Sequence, residues 1–286
     1  MDAASLVGLP ALGVGLGYRE PLRAEIFRHR DEIDFLEITA DHFFDPTPER
    51  RALLDLLHEH FTLIPHGLDL SLGSAEGLDE SYADKFAALI QRLEPPWWSE
   101  HIAFTRAGGV RIGHLAPLPF TREAAEVVCR NVAAMQARVG RAAPATPLIL
   151  ENITYTVAMP DAEMSEGAFV RTVLEGCGAG LLLDVTNVYA NAVNHGRDPL
   201  ALLDEFPLER VVQLHFVGGY WRDGVFIDGH SAPTPPEVWE LLDAVCARAP
   251  VRGVILERDE HIPAMRELVP ELRRAREILR RHGRTV

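Results

Sequence analysis

A parallel (β/α)8 barrel is the fold this sequence predicts, and three observations predict it. Eight short apolar runs recur near 12–17, 33–38, 61–66, 99–104, 147–151, 180–185, 210–216 and 253–257. They are almost continuously apolar rather than alternating, as strands covered on both faces are. Helical stretches separate them, and strands alternating with helices along a whole chain build a parallel sheet, which closes on itself at eight strands. The 286 residues also suit such a barrel, which takes about 250 residues plus insertions. An open doubly wound sheet ranks second, because GVGLGYREP carries two glycines of the dinucleotide fingerprint and then Pro21.

Each element has its own justification. The first run, LGVGLG, is followed by PLRAEIFRHR, and IDFLEI is followed by PERRALLDLLHEH, both with helical spacing of apolar positions. FTLIPH precedes ESYADKFAALIQRL. After SEHIAF comes TREAAEVVCRNVAAMQARVG, which opens on Thr121 with Glu123 in its first turn and closes at Gly140. PLILE precedes SEGAFVRTVLEGCG, opened by Ser165 and Glu166 and closed at Gly176. GLLLDV precedes DPLALLDEF, RVVQLHF precedes PPEVWELLDAVCARA, and GVILE precedes a basic amphipathic helix with a frayed end, PELRRAREILRRHGRTV. Trp97 and Trp98, at the start of the fourth strand, are expected at the barrel bottom. No repeat or linker divides the chain, so a single barrel domain with a C-terminal helix is expected over residues 1–286.

Composition narrows the function. A formal charge of -14 argues against nucleic acid or an anionic membrane as partner, since both need clustered Lys and Arg. Cys129, Cys177 and Cys246 lie far apart, without the spacing of a disulfide framework or a cysteine-rich zinc site. The N-terminal MDAASLVGLPALGVGLG has no basic n-region, and no apolar run approaches the roughly 20 residues that span a bilayer. A cytoplasmic protein is expected.

The chemistry lies at the strand ends. His66, His101, Glu151, Asp184, His215 and Glu257 each close an apolar run, and parallel strands deliver their last residues to one face. Imidazole with carboxylate, without thiolate, suits iron, manganese or zinc in catalytic sites. Six ligands exceed the needs of one ion, and carboxylates that bridge allow two or three metals about 3.5 to 4 Å apart. Asp228 and His230, two residues apart in GVFIDGH, share a face if that segment is extended, and can hold a third. No Gly-x-Ser-x-Gly elbow, phosphate loop or His-Glu-x-x-His pair competes with this reading. The same ligands also suit a divalent-metal sugar isomerase or phosphodiesterase, and a metal-dependent peptide-binding scaffold without catalysis is a third reading.

Six strings in register carry a resemblance: IPHGLDLSLGS, WWSEHIAFTRAGGVRIGHLAPLPFT, LILENITYTV, LLLDVTNVYANAVNHGRDP, VVQLHFVGGYWRDGVFIDGHSAPTPPEVW and ILERDEHIP. From about residue 12 to about residue 265 the chain resembles the multinuclear non-haem iron-dependent oxidases, the group of the methanobactin-biosynthesis oxidase. The resemblance implies a xylose-isomerase-like barrel with two or three irons, a mixed-valence pair among them, and O2 as co-substrate. It implies oxidation of a cysteine, or a neighbouring backbone atom, in a ribosomally made precursor peptide, with a partner protein that presents the peptide.

Carried over by motif, His66, His101 and Glu151 go to one iron, with Glu151 bridging. Asp184, His215 and Glu257 go to its neighbour, and Asp228 and His230 to a third. Glu37, Asn152 and Asn187 are then expected to orient ligands, and Asp259 to accept a proton. Two departures stand out: Gly219 in HFVGG replaces a second His that relatives often have, and Thr186 replaces the first of two adjacent Asn.

Overall fold

The computed structural model describes residue 6 and residues 8–140 and 146–284. The expected C-terminal helix's last residues, 285–286, and residues 1–5 and 7 of the N-terminal segment read for a leader lie outside the described residues. Eight strands form a closed parallel barrel: β1 (Gly13–Gly17), β2 (Phe35–Thr39), β3 (Thr62–His66), β4 (Trp98–His101), β7 (Leu148–Glu151), β8 (Gly180–Asp184), β9 (Val211–Phe216) and β12 (Gly253–Leu256). They follow one another around the barrel in chain order, and β12 pairs with β1 to close it.

The remaining strands form two antiparallel hairpins, β5 (Phe104–Ala107) with β6 (Val110–Ala116) and β10 (Gly218–Arg222) with β11 (Val225–Ala232). Neither is part of the barrel. The fourth run therefore ends earlier than expected, because Phe104 already pairs with Ala116 of the first hairpin.

Helices surround the barrel: α1 (Arg23–Arg28), α2 (Pro48–His60), α3 (Glu80–Leu93), α4 (Arg122–Val139), α5 (Glu166–Cys177), α6 (Val185–Asn194), α7 (Pro199–Leu203), α8 (Pro236–Arg248) and α9 (Met265–Arg281). The expected caps hold. Thr121 Oγ1 accepts from the Ala124 amide at 3.2 Å and Ser165 Oγ from the Ala168 amide at 3.4 Å. Gly176 does not end α5. The left-handed residue is Gly178, at φ +69°, while Gly176 stays helical where a Cβ would lie 2.7 Å from Cys129 Sγ. Helix α6 was not expected from VTNVYANAVN, which is poor in strong helix formers; Asp184 caps it, its Oδ1 accepting from the Thr186 and Asn187 amides at 2.6 and 2.9 Å.

Two apolar layers follow from the period of two along a strand. Leu36, Leu63, Trp98, Leu150, Leu183, Leu214 and Leu256 face the helices. Phe35, Ile64, Trp97, Ile149, Leu182, Val212 and Ile255 fill the barrel bottom with Leu6. The two tryptophans thus part company: Trp97 is in the bottom plug, whereas Trp98 packs outward on Phe86, with ring centroids 5.2 Å apart. Among the described residues no helix is long and apolar enough to cross a membrane.

Candidate metal centre

The residue two beyond each plug residue points the same way, one layer higher. On β2, β3, β7, β8 and β12 this step runs from Phe35 to Glu37, Ile64 to His66, Ile149 to Glu151, Leu182 to Asp184 and Ile255 to Glu257. On β4 it reaches His101 through Ser99. On β9 a register irregularity opposite Leu181 and Leu182 brings Gln213, and with it His215, into the interior. All of these side chains are buried.

Three groups of donor atoms result, each within 4.8 Å of one another: His66, His101 and Glu151; Glu151, Asp184, His215 and Glu257; and His230, Glu257 and Asp259. Glu151 divides its oxygens between the first two. Its Oε2 lies 3.4 Å from His66 Nε2 and 3.3 Å from His101 Nε2, while its Oε1 lies 3.1 Å from His215 Nδ1. Glu257 Oε2 is 3.0 Å from His215 Nδ1 and 3.6 Å from His230 Nδ1. Asp228 falls outside the three groups, because its Oδ2 is turned to His230 Nε2 at 3.0 Å. Asp259, expected as a proton acceptor, stands in its place, its Oδ2 3.1 Å from His230 Nδ1 and its Oδ1 held by Arg19.

Each imidazole is held from behind. His66 Nδ1 faces Ser99 Oγ at 2.7 Å, His101 Nδ1 faces Glu100 Oε1 at 3.1 Å, and His215 Nε2 faces Glu37 Oε1 at 2.9 Å. Glu37 is in turn tied to the plug: Gln213 Nε2 donates to its Oε2 at 2.6 Å, and Trp97 Nε1 donates to Gln213 Oε1 at 2.8 Å. Asn152 grips the backbone of Asp184, accepting from its amide at 2.9 Å and donating to its carbonyl at 3.1 Å. Asn187 Nδ2 donates to the Asn152 carbonyl at 2.9 Å.

Glu37 thus lies beside His215, Asn152 beside Asp184, and Asn187 beside Asn152. Sequence reasoning missed Ser99, Glu100, Gln213 and Arg19. Glu100 was hidden by its position next to His101, which implies the opposite face; its carboxylate folds back, its Oε1 accepting also from the His101 amide at 2.8 Å.

The electrostatics describe a cluster with too many anions for its protein cations. Burial opposes a charge on His101, but the Glu151 and Glu100 carboxylates outweigh it and raise its pKa to about 9. His215 and His230 are held well above the ordinary value against the same burial, His215 by Glu37 and Glu151 and His230 by Asp228 and Glu257. His66 goes the other way, kept neutral by burial and by its imidazole neighbours. Burial and the Asp228 carboxylate push Asp184 up to about 7.

Among the described residues, Glu151 Oε2, Asp184 Oδ2 and Asp228 Oδ1 are buried acceptors with no hydrogen-bond partner. An orphaned buried carboxylate oxygen is costly, and a metal cation removes that cost. The donor set of nitrogen and carboxylate, with oriented imidazoles and orphaned oxygens aimed inward, fits a metal centre.

The two departures have structural reasons. A Cβ on Gly219 would lie 2.1 Å from the Ile227 carbonyl and 2.8 Å from the Phe226 ring, so the hairpin excludes any side chain there. Thr186 Oγ1 donates to the Val217 carbonyl and accepts from its amide, at 3.1 and 3.0 Å, fastening the start of that hairpin. Beside the centre, a cavity of about 410 Å³ opens between Tyr18, Arg19, Phe43, Arg50, Leu53 and Ile262.

Comparison with known proteins agrees with this architecture. Among solved structures, the chain is similar to 3-keto-D-glucoside 4-epimerase YcjR of E. coli (TM-score 0.57, 13% identity, 93% of this chain and 99% of that one). It is also similar to a D-psicose 3-epimerase of Clostridium cellulolyticum H10 (TM-score 0.56, 11% identity, 95% and 98%) and to a xylose isomerase domain protein of Alicyclobacillus acidocaldarius (TM-score 0.55, 16% identity, 94% and 96%). At these identities the likeness is one of fold, the xylose-isomerase-like barrel.

Among curated sequences, it is 39% identical over 282 residues to a UPF0276 protein of Streptomyces avermitilis, covering 96% of this chain but only 56% of that longer relative. It is 37% identical to a UPF0276 protein of Rhizorhabdus wittichii, covering 94% of this chain and 96% of the other. Residues 13–280 match the family model described as RiPP precursor modification enzyme MbnB/TglH/ChrH, and the chain belongs to that enzyme family.

Proposed function

We propose that the protein is an O2-dependent iron oxidase that modifies a cysteine-containing, ribosomally synthesised precursor peptide in the cytoplasm, working with a protein that presents the peptide. The observation that carries this reading is the split engagement of Glu151, one buried oxygen toward two imidazoles and the other toward a third. That is how a carboxylate bridges a metal pair, and the family's description as precursor-peptide modification enzymes supplies the substrate class.

His66, His101 and Glu151 hold one ion in this reading, and Glu151, Asp184, His215 and Glu257 hold the other. Bound iron would relay electrons from the substrate, which is oxidised, to O2, which is reduced, and would supply the Lewis acidity that deprotonates a substrate thiol. The protein's own groups do the rest. Glu37, Glu100 and Ser99 orient the imidazoles, and Asn152 and Asn187 fix Asp184. The bottom plug closes the barrel below the centre, so substrate enters from the mouth, where the cavity beside Arg19 offers apolar walls and the guanidinium groups of Arg23 and Arg50 to a neighbouring residue of the peptide. At the rim, the Asp259 carboxylate, whose Oδ2 lies 3.1 Å from His230 Nδ1, is the group placed to take up a substrate proton.

The test is coexpression with the cysteine-containing short peptides encoded beside the gene, followed by peptide mass spectrometry. A mass change that needs both iron and O2, and disappears in His101→Ala, is expected. A mass change with manganese or zinc under argon, or turnover of a free sugar instead, would favour the redox-neutral isomerase. A peptide that binds without changing mass would favour the scaffold.

A further inference from the structure

The group at the mouth differs from the two below it in one respect: a cation of the protein already stands inside it. Arg19 donates from Nε to Asp259 Oδ1 at 2.6 Å and closes a fork onto the same oxygen with Nη2. Nη2 also reaches Glu257 Oε1 at 3.2 Å, and Nη1 is spent on the Tyr18 carbonyl at 2.9 Å. The guanidinium folds back over the end of β1, where a Cβ on Gly17 would lie 3.2 Å from Nη1.

His230 is engaged on both sides, Nε2 by Asp228 and Nδ1 by Asp259, as His215 is by Glu37 and by Glu151. By contrast, the Nε2 atoms of His66 and His101 face only Glu151 Oε2, an acceptor without a hydrogen bond of its own. The orphaned oxygens divide in the same way. Glu151 Oε2 and Asp184 Oδ2 belong to the two lower groups; the third, Asp228 Oδ1, lies beside His230 but outside the mouth group, and among the described residues no buried side-chain atom of His230 or Glu257 is left without a partner.

We propose that Arg19 is the permanent cation of the mouth group, so that this chain holds two metal ions, sharing Glu151, and Arg19 stands where a third would bind. A metal there would have to sit beside a guanidinium that is always charged and already bonded to two of the group's three residues, and like charges brought together repel. Glu257 then serves both cations, with Oε2 toward the metal pair and Oε1 toward Arg19. The guanidinium thereby lowers the net negative charge around the pair without adding a redox-active ion. This inference rests on the metal-centre reading above and replaces the assignment of Asp228 and His230 to a third iron.

Iron counting tests it without reference to turnover. Metal-free protein is loaded anaerobically with excess Fe(II), desalted and analysed by inductively coupled plasma mass spectrometry. Two irons per chain are expected in the wild type and in Arg19→Lys, and three in Arg19→Ala. His230→Ala, which leaves Arg19 in place, is expected to stay at two. Three irons in the wild type, a loss of one iron in His230→Ala, or a count of two in folded Arg19→Ala would overturn the proposal. Fewer than one iron in the wild type, or a count indifferent to His66→Ala, would instead overturn the metal-centre reading beneath it.

Discussion

Three imidazoles have three different supports: a hydroxyl behind His66 and carboxylates behind His101 and His215. A carboxylate partner fixes the ring and raises the basicity of the nitrogen that faces the metal, and its loss typically costs about 10- to 100-fold in metal affinity. Glu37→Gln is therefore expected to weaken metal binding by about that factor, and Ser99→Ala by less, measured by competition with a chromophoric chelator.

A second residue-scale expectation concerns Glu166, buried at the start of α5, where its Oε2 accepts from Tyr155 OH and its Oε1 from Asn191 Nδ2, each at 3.0 Å. Burial raises its pKa from 4.5 to about 7. The folded state then holds a proton that the unfolded chain gives up, so this contribution is complete below pH 4.5 and is lost as pH rises through 7. The span corresponds to at most about 3 kcal/mol. Glu166→Gln should remove that slope, read as the difference between wild-type and variant urea midpoints at pH 5 and pH 8.

At this scale the sequence showed the residues that end strands, because strand direction alone brings them together. It did not show Arg19 or Glu100, whose roles depend on how a side chain folds back rather than on which face it starts from.

Elements were legible in proportion to their periodicity. Seven of the eight barrel strands and most of the longer helices lie within a residue or two of where apolar spacing put them, the fourth strand ending three residues early, while α6 depends on a cap, Asp184, that is also a candidate ligand and leaves no apolar signature of its own. Both hairpins escaped notice, since their outward faces are wet and their pairing is set by turns rather than by burial. The second hairpin brings Asp228 and His230 to the rim, and its two strands approach so closely at Gly219 that substitution there is a sensitive probe. Gly219→Ala is expected to cost about 2 kcal/mol or more, because backbone contact at 2.1 Å cannot relax by a side-chain turn. A lowered thermal midpoint, with a changed emission from half-exposed Trp221 on the same hairpin, would be the readout.

Over the whole molecule, plug and centre are one construction. Trp97 fills the bottom and, through Gln213 and Glu37, steadies His215 above it. Trp97→Ala is expected to cost about 3–5 kcal/mol of stability. Trp97→Phe keeps most of the volume but drops the indole donor, and should spare stability far more than metal affinity. Denaturant titration and metal competition on the same two variants separate these effects.

The hairpin that carries His230 contributes nothing to the two buried groups, whose residues all come from the ends of barrel strands. Inheritance can thus rewrite the entrance while leaving the furnace alone: on the proposed reading, swapping residues 218–232 between family members should redirect which peptide is admitted without changing the number of ions bound.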